Sequence, residues 1–158
     1  MEMETISSYL ANDHARCDAL FLQAVADVAA RKWPSALKQT GEFESAFAHH
    51  LEMEESIIFR ALEEAIGTLD GPTADLRKEH ELLRGLLARV SQAVQDRKIA
   101  DFFDFADTFC IMLRQHNLKE EGILYPMADR MLADQRTDLV ASMAAISIVQ
   151  RAGHGLAA

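Results

Sequence analysis

The chain has 158 residues, with 16 Lys and Arg against 25 Asp and Glu and a net charge of -9. That length suits a single compact domain with a real core, and the charge repels phosphate backbones and anionic membrane surfaces, which argues against nucleic acid as a partner. No uncharged apolar run reaches the ~20 residues that span a bilayer, Met1-Glu2-Met3-Glu4 carries neither a basic nor an apolar targeting region, and Cys17 and Cys110 form no CxxC arrangement, so the expectation is a cytoplasmic protein with no membrane partner.

Helix formers dominate and strand-like alternation is absent, so the class expected is all-α. The periodic stretches predict a first helix over 7–31, a second over 34–66, a third over 72–97 and a fourth over 101–132, with Pro34 and Pro72 at helix starts. Short connections between them predict an antiparallel up-down four-helix bundle. A short fifth helix over 137–151 is expected in the tail, with Thr137 as N-cap and Leu139, Val140, Met143 and Ile146 as its apolar face. That face would cap the bundle or pair two copies as a homodimer.

The two halves of the sequence repeat with a constant offset of 66: His14 with His80, His50 with His116, Glu54 with Glu120, and Glu55 with Glu121. Apolar positions keep the same offset, including Leu10 with Leu76, Leu20 with Leu86, Phe43 with Phe109, Ile57 with Ile123, and Phe59 with Tyr125. Two equivalent helical hairpins about a pseudo-twofold axis would bring four matched faces to one centre. Residues four apart share a helix face about 6 Å apart along the axis, so His50 and Glu54 point the same way, as do His116 and Glu120. They interrupt an apolar stripe that runs through Phe43, Phe47, Ile57, Ala61 and Ala65 in one half, and through Phe109, Leu113, Ile123 and Met127 in the other.

Buried carboxylates without partners cost several kcal/mol or neutralise, and a bound cation removes that cost. Imidazole with carboxylate suits iron, zinc or manganese, and glutamates from opposite helices can each bridge two ions, which favours a dinuclear centre. His14 and His80, mid-helix on the inward faces, would complete it. The candidate metal ligands are therefore His14, His50, Glu54, His80, His116 and Glu120.

The segment His116-Asn117-Leu118-Lys119-Glu120-Glu121-Gly122-Ile123-Leu124-Tyr125-Pro126, and its counterpart from His50 to Phe59, resemble the HxxxEE segments of the hemerythrin-like, or HHE cation-binding, family. The resemblance implies a hemerythrin-like bundle around two iron ions joined by an oxo or hydroxo bridge, with the four histidines as terminal ligands and Glu54 and Glu120 as bridges. Two departures stand out. Oxygen-carrying members have a second third-helix histidine four residues from the first, where this chain has Leu76 and Arg84, and they place the last bridge five residues after its histidine, at the position of Glu121. Repeat symmetry selects Glu120 instead. The resulting set of four histidines and two glutamates is similar to that of the repair-of-iron-centres proteins.

Off the metal-facing stripe, Glu55 and Glu121 are expected to be solvated or to hydrogen-bond a ligand, His49 and His154 to be bystanders, and Cys17 and Tyr125 to be packing residues. Pro126 is expected to disturb the fourth helix. The function expected is binding of O2 or NO at an open iron position, in sensing, scavenging or protection against oxidative or nitrosative stress. The alternative is an iron donor or store for damaged iron-sulfur centres.

Overall fold

The computed structural model describes residues 4–154, with side chains through residue 146. Helix α1 (Ile6–Ala29) is followed by α2 (Trp33–Met53), which passes through a π-helical turn (Glu54–Ile58) into α3 (Phe59–Ile66). The second half repeats this plan, with α4 (Pro72–Gln95), α5 (Ile99–Lys119), a π-helical turn (Glu120–Leu124) and α6 (Tyr125–Met131). A short 3-10 turn (Ala133–Gln135) leads to α7 (Arg136–His154). There are no strands among the described residues, and the architecture is the all-α bundle with an added C-terminal helix.

The hairpin turns repeat as the sequence does. Arg31 and Arg97 both adopt positive φ, at 56° and 55°. Around them the chain closes with the paired hydrogen bonds of a Schellman turn, Lys32 N–H to the Asp27 carbonyl at 2.9 Å and Lys98 N–H to the Ala93 carbonyl at 2.9 Å. Glycine normally takes this left-handed position, and Gly67 does so at the end of α3. The N-terminus of α1 is held twice over. Thr5 and Ser8 form a capping box, and the Asp129 carboxylate on α6 accepts from the Ile6 and Ser7 backbone and from the Ser7 hydroxyl.

Apolar side chains form two clusters. One lies toward the hairpin turns and includes Phe21, Phe43, Phe47, Leu87 and Phe109; the other lies toward α3, α6 and α7 and includes Ile6, Leu10, Phe59, Leu76 and Tyr125. On α1, His14 falls between Leu10 of one cluster and Cys17 of the other, and on α4 His80 falls between Leu76 and Leu83 in the same way. The polar side chains thus form a layer between two apolar ones. Helix α7 packs on α1, α2 and the first π turn, with Met143 buried and Leu139 and Val140 partly buried in the second cluster. Its apolar face caps the bundle. Thr137 is not its N-cap, because α7 begins at Arg136 directly after the 3-10 turn.

The π turns shift the register of α3 and α6 by one residue, since each adds a residue to a helical turn. The expected stripe of Ile57, Ala61 and Ala65 becomes Ile58, Phe59 and Leu62, which are fully buried. In the second half Ile123 is 62 % exposed, and Leu124, Tyr125 and Ala128 take the buried places expected for Ile123 and Met127. Pro126 does not cause this break, because the first hairpin makes the same π turn with Arg60 in the matching place.

Replacing Arg97 with glycine removes the side-chain clash of the left-handed turn and is expected to raise stability by about 1 kcal/mol. Urea unfolding checks this; a lowered midpoint would mean that the arginine side chain stabilises the turn in another way.

Candidate metal centre

All six predicted side chains converge on the middle of the bundle. Glu54, His80 and Glu120 are fully buried, His50 and His116 are 2 % exposed, and His14 is 6 % exposed. Each projects from a helix interior or from the first residue of a π turn, where backbone hydrogen bonding fixes its direction. One ligand atom from each of His14, His50, Glu54 and Glu120 lies within 4.8 Å of the others, and the same holds for Glu54, His80, His116 and Glu120. The two groups share both glutamates. Nε2 of His14 is 3.3 Å from Glu120 Oε2, and Nε2 of His50 is 3.4 Å from Glu54 Oε1. In the other group Nε2 of His80 is 3.3 Å from Glu54 Oε2, and Nε2 of His116 is 2.8 Å from Glu120 Oε1.

An outer ring of carboxylates sets the tautomers. His14 Nδ1 lies 2.7 Å from Glu121, His80 Nδ1 2.7 Å from Glu55, His50 Nδ1 2.9 Å from Asp13, and His116 Nδ1 2.8 Å from Glu79. A carboxylate accepts only, so each Nδ1 carries the donated proton, and a ring that is neutral turns the lone pair of Nε2 inward. Glu55 and Glu121 thus serve as hydrogen-bond acceptors from the candidate ligand rings, and Glu121, 44 % exposed, lies outside both donor groups. Asp13 and Glu79 are not among the residues predicted from sequence. Their spacing of 66 was the available signal, and each immediately precedes a candidate histidine. Further charges hold the ring in place, with Arg84 paired to Glu55 at 3.0 Å, Lys119 to Glu79, and Arg16 to Asp13 at 2.8 Å.

Tyr125 is the residue the sequence misplaced. A regular helix would put it about 180° from His116, but the π turn brings it round to the inside, five residues after Glu120. Its ring is fully buried, with the hydroxyl 2.5 Å from Glu54 Oε1 and 3.1 Å from both Glu120 Oε2 and His14 Nε2. Cys17 is a buried core residue whose thiol is pushed up to about 12, chiefly by burial. His49 is buried but outside both ligand groups, and the side chain of His154 lies outside the described residues.

These donors fit a cation better than they fit one another. His50 Nε2, Glu54 Oε2 and Glu120 Oε1 are buried with no hydrogen-bond partner, although Nε2 of His116 lies 2.8 Å from the last of them. Nε2 of His80 and Nε2 of His116 face each other at 3.1 Å, so two neutral rings would oppose their inward lone pairs unless a proton or a cation lies between them. Cations between the rings and carboxylates would turn these contacts into ligation.

With no cation, protons take over the compensation. Burial disfavours charge on His50, but Glu54 and Asp13 outweigh it and raise the ring to about 10. Burial likewise opposes charge on His80, yet Glu120, Glu54 and Glu55 raise it to about 11. Burial raises both Glu54 and Glu120, but the imidazoles facing them hold both below the ordinary carboxylate range. In the outer ring burial also opposes ionisation, and His50 with Arg16 still lowers Asp13 to about 2, as His80 with Arg84 lowers Glu55 to about 2.

Residues 5–128 match the family model described as "Hemerythrin HHE cation binding domain", and the chain belongs to that family. No curated protein and no solved structure matches it.

The metal-free protein should be most resistant to urea between about pH 4.5 and 6.5. His50 and His80 titrate higher when folded than when unfolded, so their stabilisation is complete below about pH 6.5 and is lost as pH rises toward 10 and 11. Asp13 and Glu55 titrate lower when folded, so theirs is present above about pH 4 and is lost as pH falls through 2. A urea midpoint still climbing from pH 7 to 9 would contradict this.

Proposed function

We propose that the chain binds two iron ions, each held by two histidines and both bridged by Glu54 and Glu120, and that an open iron position takes up O2 or NO. The observation that carries this reading is that the two four-residue donor groups share both glutamates. A carboxylate with one oxygen directed to each group is the arrangement expected of a bridge between two cations. Family membership supports cation binding, and imidazole with carboxylate is a donor set that suits iron. When bound, the pair supplies a redox-active centre with a ligand position for a diatomic molecule.

The chain's own residues shape that chemistry. Asp13, Glu55, Glu79 and Glu121 orient the rings and raise their basicity through Nδ1. Phe21, Phe43, Phe47 and Phe109 pack as a group of rings beneath the centre, with Phe21 and Phe43 centroids 4.8 Å apart. This apolar layer excludes water, which slows escape of a bound gas and sets the redox potential through low polarity. A cellular role in sensing, scavenging or protection against oxidative or nitrosative stress follows from gas binding at such a centre. Among the described residues no helix is long and apolar enough to cross a membrane.

Anaerobic reduction of the iron-loaded protein, followed by O2 or NO, should change its visible spectrum; a spectrum without bands throughout would refute gas binding. Asp13→Asn should lower iron affinity about 10- to 100-fold, because the His50 ring loses its charged partner. Competition with a chelator measures this, and unchanged affinity would remove Asp13 from the centre's support.

A further inference from the structure

The six inner donors obey the repeat, but the aromatic residues beside them differ by one atom. Phe59 and Tyr125 are counterparts, each five residues beyond a candidate bridging glutamate. Each ring packs on the α1 or α4 histidine: Phe59 on His80 with centroids 5.4 Å apart, and Tyr125 on His14 at 5.6 Å. Only the tyrosine brings an oxygen. That oxygen contacts Glu54 Oε1, Glu120 Oε2 and His14 Nε2. Those atoms are the inward donors of the His14/His50 group, as the approaches of His14 to Glu120 Oε2 and of His50 to Glu54 Oε1 indicate. The other carboxylate oxygens, Glu54 Oε2 and Glu120 Oε1, turn toward His80 and His116, where the phenylalanine ring offers no donor.

The hydroxyl has one proton and faces three acceptors. In a neutral His14 ring with its Nδ1 proton toward Glu121, Nε2 is an acceptor and not a donor. One hydrogen bond therefore satisfies one neighbour and leaves the oxygen facing two further lone pairs. A cation among the four donors relieves that excess, whether the oxygen then binds the ion or stays hydrogen-bonded to a bridging carboxylate. In either arrangement it fills the space on that side.

We propose that Tyr125 makes the two cation positions unequal: its oxygen closes the His14/His50 position as a fifth polar group, so that an exogenous anion or diatomic ligand binds only at the His80/His116 position, over Phe59. The inference rests on the two-cation reading above. It follows the general distinction between a position whose donors are complete and one that keeps a place free.

The test uses the full iron-loaded, oxidised chain, with azide as the probe and iron content measured for every variant. Wild type should bind two iron ions and one azide. Tyr125→Phe should keep both ions and bind a second azide. Phe59→Tyr should keep both ions and bind azide at least about tenfold more weakly. Equal azide stoichiometry and affinity in wild type and Tyr125→Phe would overturn the inference, as would two equivalent azides, or none, on wild type. If Tyr125→Phe loses iron, Phe59→Tyr decides alone, and undiminished azide binding to it overturns the proposal. A wild-type chain that takes up no pair of ions would instead overturn the two-cation reading.

Discussion

Two glutamates at the centre of an apolar bundle, fully buried and with ligand atoms within 4.8 Å of each other, are the constraint on which the rest of this structure depends. Two carboxylates in such a place repel each other and have lost their water, a cost of several kcal/mol per charge unless it is compensated. The chain compensates with four imidazoles, and backs those with four further carboxylates and three basic side chains. Charge thus alternates outward from the centre. Glu54 and Glu120 carry negative charge, the protonated His50 and His80 rings or bound cations positive, Asp13, Glu55, Glu79 and Glu121 negative again, and Arg16, Arg84 and Lys119 positive at the rim.

The same constraint explains where regular helix gives way. In an α-helix, residues at i and i+4 share a face while i+9 points away. The polypeptide directs His50, Glu54 and Phe59 inward together, and likewise His116, Glu120 and Tyr125, which the two π turns make compatible. The apolar face beyond each turn moves by one position, and α3 and α6 present a register to the second core cluster that differs from a continuation of α2 and α5. The residues that line the centre and those that cap it thereby sit on one side of a broken helix. Helix α7 then covers the first hairpin's π turn, and Asp129 ties α6 back to the start of α1.

Much of this was legible in the sequence because it is built by repetition. The spacing of 66 exposed the hairpins, the four histidines and the two inner glutamates, and even the turn residues Arg31 and Arg97 obey it. Charged residues beside a candidate ligand were harder to read. Asp13 and Glu79 look like ordinary solvated acids on a polar face, and only the three-dimensional placement of α1 against α2, and of α4 against α5, sets them on the rings of His50 and His116. Tyr125 was hidden by a different cause. Periodicity assumes a constant rotation per residue, and a single inserted residue turns an outward position into an inward one while leaving the composition of the stripe almost unchanged. Proline suggested a break at the right place for the wrong reason, since the matching turn forms without one.

The central proposal is that Glu54 and Glu120 are held side by side by a pair of cations lying between them and the four histidines. Anomalous diffraction at the iron edge from crystals of iron-loaded protein tests it directly. Two peaks are expected, roughly 3.5–4 Å apart as in other paired-metal sites, with one glutamate oxygen directed at each. A single peak, or metal bound elsewhere while the six side chains pack around none, would contradict it.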